Sequence, residues 1–457
     1  GRHNVMKIVS LGIGLAVGLV LIAKVYFEQS YDDFYPDRDR VYQVWAKYQQ
    51  NGGELKDYPQ TSGGIAPTMQ QQIPEIETVT RYTSFGDWTF TMTDTKMKYS
   101  GRCIIADSCF FDILPRPMLI GNAKEVLSTP MYVLISSRIA KNIGGDVIGK
   151  NFTVDNSPGR TMTIGGVFEE VPENSHSRYD VIVSMASAGR FMWEGSPTNM
   201  LGNDRYISYV KLHKGVNPLA LEEQVRTFVN SYFPPEEQQK VGLSIDFSFH
   251  KLDKELPQVK RMTWILSLLA FALIFTAVMN YILIVISSIV NRSKEVAVHK
   301  CYGASENNIH GMMFGEALVH IVLSLILALL LILAFRGTVE ELLATSLDSL
   351  LLSNGSLVLL GICILVFFVS GFMPGSLYAR IPVASAFRNY RENKRIWKKA
   401  LLLVQFVATG FLVTMLVFVA RQYTFMVNDR PGYAYENLAY CGLAGVDSTS
   451  RAKILDE

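Results

Sequence analysis

Charged residues are sparse in this chain: Asp, Glu, Lys and Arg make up 18% of 457 residues, against 49% apolar ones. With a mean hydropathy of +0.19, that balance excludes an ordinary soluble protein. Histidine is rarer still, seven in all. His176, His213 and His250 stand apart, without the H-E-x-x-H or ligand spacing of a zinc site, so no metal is expected. Ser62 and the pair Ser136–Ser137 lack the context of a nucleophile elbow, and no catalytic residue is assigned. Five cysteines are few. Cys103 and Cys109 share one water-soluble segment, where a disulfide and a pair of reduced thiols both remain open. A phosphate-binding loop is missing too. GGDVIGKN at 144–151 satisfies G-x-x-x-x-G-K, but Asn151 stands where Ser or Thr should meet magnesium, and the preceding SSRIAKNI reads as helix. A turn into the strand NFTVDN is the better reading, so the chain is not itself an ATPase and no cofactor is expected.

Long apolar runs, by contrast, are plentiful. Crossing a bilayer takes roughly 20 apolar residues, and Val5–Phe27, Thr263–Val290, Met312–Phe335, Leu357–Ala379 and Ala400–Ala420 each suffice. The first is too long for a cleaved signal, and SYDDFYPDRDR follows it with no small-residue cleavage site. Between the last two runs, Arg380, Arg388, Arg391, Lys394, Arg395, Lys398 and Lys399 oppose Glu392 alone, whereas the 336–356 loop sets Arg336 against Glu340, Glu341 and Asp348. Basic short loops stay in the cytoplasm. The N-terminus and the loops 291–310 and 380–399 are therefore expected inside, with 28–260, 336–356 and the C-terminal tail outside. The net charge of +2 points to no partner by itself, and no nucleic acid is expected.

The expected fold class is an α-helical transmembrane bundle with a large α+β extracytoplasmic domain inserted after the first span. Within 28–260, LSIDFSFHKL (243–252) alternates as a half-buried strand, and RTMTIGGVFEEV, YDVIVSM and RYISYVKL read likewise. In VNPLALEEQVRTFVNSYF, Asn217 caps a helix, Pro218 opens it, and Leu221, Val225, Phe228, Val229 and Tyr232 form its apolar face. Spans one and five align without gaps. Lys7 meets Lys399, Ala16 Ala408, Gly18 Gly410, Tyr31 Tyr423, and Asp37–Arg38 meet Asp429–Arg430. Such a repeat implies a second unit of domain plus spans, so the chain is expected to hold the first half and a little more of a two-unit protein. The expected divisions are a first transmembrane helix at 1–27, the α+β domain at 28–260, and a three-span domain at 261–380. A basic linker at 381–399, a fifth transmembrane helix at 400–420 and the opening of a second outer domain at 421–457 follow.

One polar stretch interrupts the spans: NRSKEVAVHKCYGASENNIHGMMFGEALV, 291–319. Arg292–Tyr302 is long enough for about three helical turns. Glu295, Val298 and Tyr302 can share a face, Gly303 suits the left-handed residue after a helix end, and Ser305 can cap the next helix. The charge is mixed and the apolar face narrow, which suits a protein partner better than lipid headgroups. Elsewhere in the spans, Lys24 is placed to snorkel outward. Glu316 and His320 lie one turn apart as a structural pair near the interface, and Asn280 should bond a neighbouring helix.

SKEVAVHKCYGASENNI…GEALV resembles the signature of the MacB/FtsX-like ABC transporter permeases, R-E-I-G-I-R-K-A-L-G-A-S followed by a helix carrying E-A. Glu295, Lys300, Gly303, Ala304, Ser305, Glu316 and Ala317 match. Ala297 stands where Gly is common, and His299 where Arg is common. SYDDFYPDRDRVYQV, ADSCFFDIL…PMLIGNAKEVL and GGDVIGKNFTVDN…MTIGGVFEEVPENSHSRYDVIVSM resemble the family's periplasmic core domain, LYARIPVASAFRN its closing motif, and WKKALLLVQFVATGFLV the start of a second repeat in the large, eight-span members. The resemblance implies a bacterial inner-membrane permease subunit that transmits the motion of a separate cytoplasmic ATPase to the periplasm. Antimicrobial peptide or drug export, or resistance, is the commonest role. It implies a coupling helix at 291–304 with Glu295, Val298, His299, Lys300, Tyr302 and Gly303 facing the ATPase. Further expected partners are membrane lipid, a periplasmic adaptor or outer-membrane component, and a dimer or pseudo-dimer of repeats. The alternative is a receptor with an outer sensory domain and no link to ATP hydrolysis. Against it stand the repeated spans and the lack of a kinase or coiled-coil segment after them.

Overall fold

The computed structural model describes residues 2–154, 157–252, 257–351, 355–379, 396–428 and 453. Contacts divide the chain into two compact units, one holding 2–30 and 257–428, the other 31–252.

The second unit is α+β. Its described strands are β1 (Val41–Gln50), β2 (Lys56–Tyr58), β3 (Ile76–Met92), β4 (Lys98–Ala106), β5 (Met118–Ile120), β6 (Tyr132–Ser136), β7 (Asn151–Val154), β8 (Ser157–Phe168), β9 (Val181–Ser184), β10 (Ile207–Leu212) and β11 (Leu243–Lys251). They form one sheet in the order β11-β1-β10-β3-β4-β9-β6-β8-β5, with β2 beside β1 and β7 beside β3 and β8. The pairing is antiparallel except for β4 with β9 and β6 with β8. Of these, β6 and β9 read as short apolar runs because both faces are covered. Cys103 and Ile105 of β4, Val133 and Ile135 of β6, and Val181 and Val183 of β9 enter one core. Their neighbours Ile104, Leu134 and Ile182 enter the core on the other face. The four strands expected from sequence are β8 to β11, and GGDVIGKN turns into β7. Asn217 caps its helix by accepting from the Leu219 N–H, and Leu221, Val225, Phe228 and Val229 are buried there. Tyr232, expected on that face, is exposed. It lies at the last residue of the helix, beyond the reach of the sheet. Cys103 and Cys109 are free thiols, and burial pushes the Cys103 thiol well up.

The chain leads into this domain through a buried lock. Asp32 is 1% exposed and sits at φ 56, a left-handed conformation that Asp adopts more readily than most residues. Its carboxylate accepts from Ser175 Oγ (2.7 Å) and the His176 N–H (3.3 Å), and it pairs with His176 Nδ1 at 2.7 Å. Its own N–H donates to the Asn174 carbonyl. Nothing in the alternation of the sequence marked this residue.

The first unit holds five apolar helices: Arg2–Gln29, Pro257–Ser287, Glu306–Ala334, Ser356–Ala379 and Ile396–Asn428. Four carry windows long and apolar enough to cross a membrane, and the other holds the shorter apolar stretch Ser356–Phe372. The first span packs on the second and third through Leu11, Leu15, Ala16, Leu19 and Val20. Contact with the second is nearly backbone to backbone. A Cβ added at Gly14 would lie 2.2 Å from Ala277 Cβ, and one at Gly18 would collide with the Ile274 side chain. Small residues allow such approach where lipid gives no hydrophobic drive. Most of the expected basic linker, the flank Asp429–Arg430 and the start of a second outer domain lie outside the described residues.

Candidate functional site

The second span stops at Ser287 for a local reason. Ser287 Oγ donates to the Ile284 carbonyl (2.8 Å) and Ser288 Oγ to that of Val285, while the Ser288 N–H is shared between the same two carbonyls. Hydroxyls that bond back along a helix bend it. A new helix then runs Ile289–Cys301. Sequence reading passed over this serine pair, although two adjacent serines at the end of an apolar run were a visible signal.

The far end of this short helix closes in a Schellman turn. The Gly303 N–H donates to the Lys300 carbonyl and the Ala304 N–H to that of His299, both at 3.0 Å. Gly303 sits at φ +90, which glycine tolerates and a Cβ resists. Ser305 follows in extended conformation and its Oγ accepts from the Asn308 N–H, capping the third span. Helix, corner and span are thus fixed by backbone chemistry over five residues.

The helix has two faces. Val296 and Ala297, each 1% exposed, join a core with Tyr281, Ile282, Val285, Ile286, Ile309 and Met313 at the junction of the second and third spans. Burying a valine side chain contributes about 1.5 to 3 kcal/mol, which ties this helix to both spans. On the opposite side Glu295 and His299 are exposed, Val298 is 43% exposed and Tyr302 89%, while Lys300, one turn on from Val296, is half-buried toward the inner face. An exposed tyrosine and valine one turn apart, flanked by polar side chains, match the aromatic-centred, polar-rimmed makeup of a protein contact. Of the six residues expected here, Glu295, Val298, His299 and Tyr302 supply side chains to this arc, and Lys300 does not. Gly303 supplies the corner.

The bundle also pins its polar groups. Lys7 on the first span, 3% exposed in its side chain, meets Glu316 Oε1 of the third at 3.2 Å. One turn on, His320 Nδ1 pairs with Tyr281 of the second span at 3.2 Å. Glu316 and His320 thus each have a partner on another helix. Asn280 accepts from Gln405 of the fifth helix, as expected of it. Lys24 does not snorkel. It is buried, donates to Thr345 Oγ1 at 2.8 Å and pairs with Glu28 at 2.6 Å, because the short helices after the third span cover that end.

A sequence model of the MacB-like periplasmic core domain matches residues 6–228, and one of the FtsX-like permease C-terminal domain matches residues 267–383. The chain belongs to the MacB/FtsX-like ABC transporter permeases. It is similar to a domain assigned to a permease protein of Porphyromonas gingivalis, at 33% identity over 50% of this chain and 98% of that one, TM-score 0.44. It is also similar to the periplasmic region of MacB from Actinobacillus actinomycetemcomitans, at 15% identity over 49% and 92%, TM-score 0.33. A third likeness is to the extracellular domain of the noncanonic ABC-type transporter YknZ from Gram-positive bacteria, at 11% identity over 45% and 98%, TM-score 0.32. No curated protein matches the chain. This permease is therefore the transmembrane subunit of an ABC transporter, a multi-pass inner-membrane protein with an inserted periplasmic core domain. The domains matched are transmembrane and periplasmic components, and neither is a catalytic domain.

Proposed function

We propose that the permease transmits the ATP-driven motion of a separate cytoplasmic ATPase to its periplasmic core domain, and that Ile289–Cys301 is the helix that receives it. The observation that carries this reading is the two-faced helix: Val296 and Ala297 sunk in the core of the second and third spans, Val298 and Tyr302 held outward. Glu295 and His299 flank the apolar pair, Lys300 lies on the inner side of the helix, and Gly303 sets the corner that follows Tyr302. The topology this needs places the N-terminus and the 291–304 helix in the cytoplasm and 28–260 in the periplasm, as the basic 380–399 linker supports. Export of antimicrobial peptides or drugs, or resistance to them, is the cargo role that suits the family, with lipid around the spans and a dimer or a pseudo-dimer of repeats as the working unit. A periplasmic adaptor or outer-membrane component completes such a system.

Copurification of the detergent-solubilised protein, scored for a bound ATPase and vanadate-sensitive ATP hydrolysis, tests the docking surface. The variants are Tyr302→Ala and the pair Glu295→Lys with Lys300→Glu. An exposed aromatic anchor at an interface is worth about 2 kcal/mol or more, so Tyr302→Ala is expected to weaken retention by at least tenfold. An ATPase retained equally by native protein and both variants would move the docking surface elsewhere. Its absence from every sample would sink the transporter reading.

A further inference from the structure

The first span is fixed to its two neighbours by different means. Toward the second span the contact is steric, with Gly14 on Ala277 and Gly18 on Ile274. Toward the third span it is polar. Lys7 Nζ meets Glu316 Oε1 at 3.2 Å, and the Ser324 hydroxyl, shared with the His320 carbonyl of its own helix at 2.8 Å, reaches the Ile8 carbonyl at 3.2 Å, one residue along. Packing is close there too: a Cβ at Gly12 would meet the end of Leu327 at 2.9 Å and the Ser324 carbonyl at 3.2 Å. Glu316 lies ten residues into the helix that Ser305 caps, directly after the corner at Gly303. The third span thus follows the short charged helix directly after that corner, and among the described residues Glu316 gives it a polar contact with the first span at Lys7.

We propose that Lys7 and Glu316 are a positioning pair that sets the axial register of the first span on the third and hands the movement of the coupling helix to the first span. The proposal rests on the docking reading above and adds the route beyond it. Lys7 is 3% exposed in its side chain and, besides Asn4 Oδ1 of its own helix at 3.5 Å, meets Glu316 near the membrane interface; an ionisable pair joining two spans is a candidate for function by default. Apolar side chains at the same two positions select no partner, whereas the ion pair joins one residue of the first span to one of the third. The first span runs as one helix, Arg2–Gln29, and the chain passes from it through Ser30 and Tyr31 to Asp32 of the periplasmic domain.

The test uses the full chain in lipid nanodiscs with the ATPase that copurifies with it, trapped with ATP and vanadate. The readout is the nucleotide-dependent change in backbone hydrogen exchange over 31–252, beside ATPase retention and thermal stability. Four samples are compared: native, Lys7→Glu, the swap Lys7→Glu with Glu316→Lys, and Lys7→Met with Glu316→Met. Replacing a buried ion pair by apolar residues is often neutral for stability, so the Met pair is expected to keep its melting temperature and its ATPase. Its exchange response is expected to fall by about fivefold, the scale on which single residues modulate coupling. Lys7→Glu should lose the response as well and the swap should recover most of it. A full response in the Met pair would show the residues to be merely structural, and a swap that recovers nothing would break the pairing; either overturns the proposal. Loss of the ATPase from the native sample would instead defeat the docking reading beneath it.

Discussion

Replacing Gly14 with alanine is expected to be the most damaging single-methyl change in the first span. The added Cβ would stand 2.2 Å from Ala277 Cβ, whereas two carbon atoms pack at about 3.5 to 4.0 Å. The helices must therefore separate by about 1.5 Å, or one must rotate, and the buried residues on either side, Leu11, Leu15 and Ile282, move with them. Forcing a methyl into a packed core typically costs about 1 to 3 kcal/mol, roughly a five- to 150-fold shift in the folded population. Ala277 is itself the obstacle, so Gly14→Ala with Ala277→Gly should regain most of the loss, and the coupling energy of that cycle should be about 1 kcal/mol or more. Gly361, whose Cβ would meet nothing within 4 Å, supplies the control, and Gly361→Ala should not destabilise. The assay is thermal or SDS unfolding of the detergent-solubilised protein followed by tryptophan fluorescence. A neutral Gly14→Ala, or a double variant no better than the single, would refute the close approach of the two spans.

Two further outcomes follow from the periplasmic domain. Asp32→Ala removes three accepted contacts and leaves a Cβ residue without local hydrogen bonding at φ 56, so a loss of about 2 to 4 kcal/mol is expected, with Asp32→Asn milder. Hydrogen exchange at 171–178 should rise in Asp32→Ala, and unchanged protection there would refute the lock. The Lys211 ammonium and then the Arg40 guanidinium hold the Asp37 carboxyl below its ordinary 3.8, and Arg40 holds Glu77 below its ordinary 4.5. The stability these acids supply is whole above those ordinary values and is lost as pH falls through the lower folded ones. Arg40→Met should therefore raise the pH of acid unfolding, measured by near-UV circular dichroism, and an unmoved acid limb would refute it.

Much of the fold was legible because two periods dominate it. Runs of roughly 20 apolar residues have one reading in water or lipid, and the alternation of LSIDFSFHKL placed Ile245 and Phe247 inward, as found. Gly303 and Ser305 were legible for the same reason, since each residue type answers a local backbone need that the chain carries wherever it folds. Contacts between distant residues were not. Lys7 and Glu316 are 309 residues apart, and only their shared depth from the same membrane face could have paired them. Lys24 was read by its side chain alone, so the covering Thr345 was missed. Asp32 was hidden because its partners, Ser175 and His176, lie in a loop with no period at all. The docking arc stands between these cases: its residues were named from sequence, while the burial of Val296 and Ala297 that turns the arc outward needed the bundle.

The two modes of attachment on the first span also differ in what they resist. Glycine packing resists compression, because no side chain lies between the backbones to give way, but a smooth groove of small residues resists sliding only weakly. A buried ion pair behaves in the opposite way. It adds little net stability over an apolar substitute, yet it joins one particular residue of the first span to one of the third, Lys7 to Glu316 at 3.2 Å. A chain selected for stability alone gains nothing from keeping lysine there. A chain that must convert an axial push on the third span into an axial push on the first needs a contact between two particular residues that draws one after the other, and Lys7 with Glu316 supplies it.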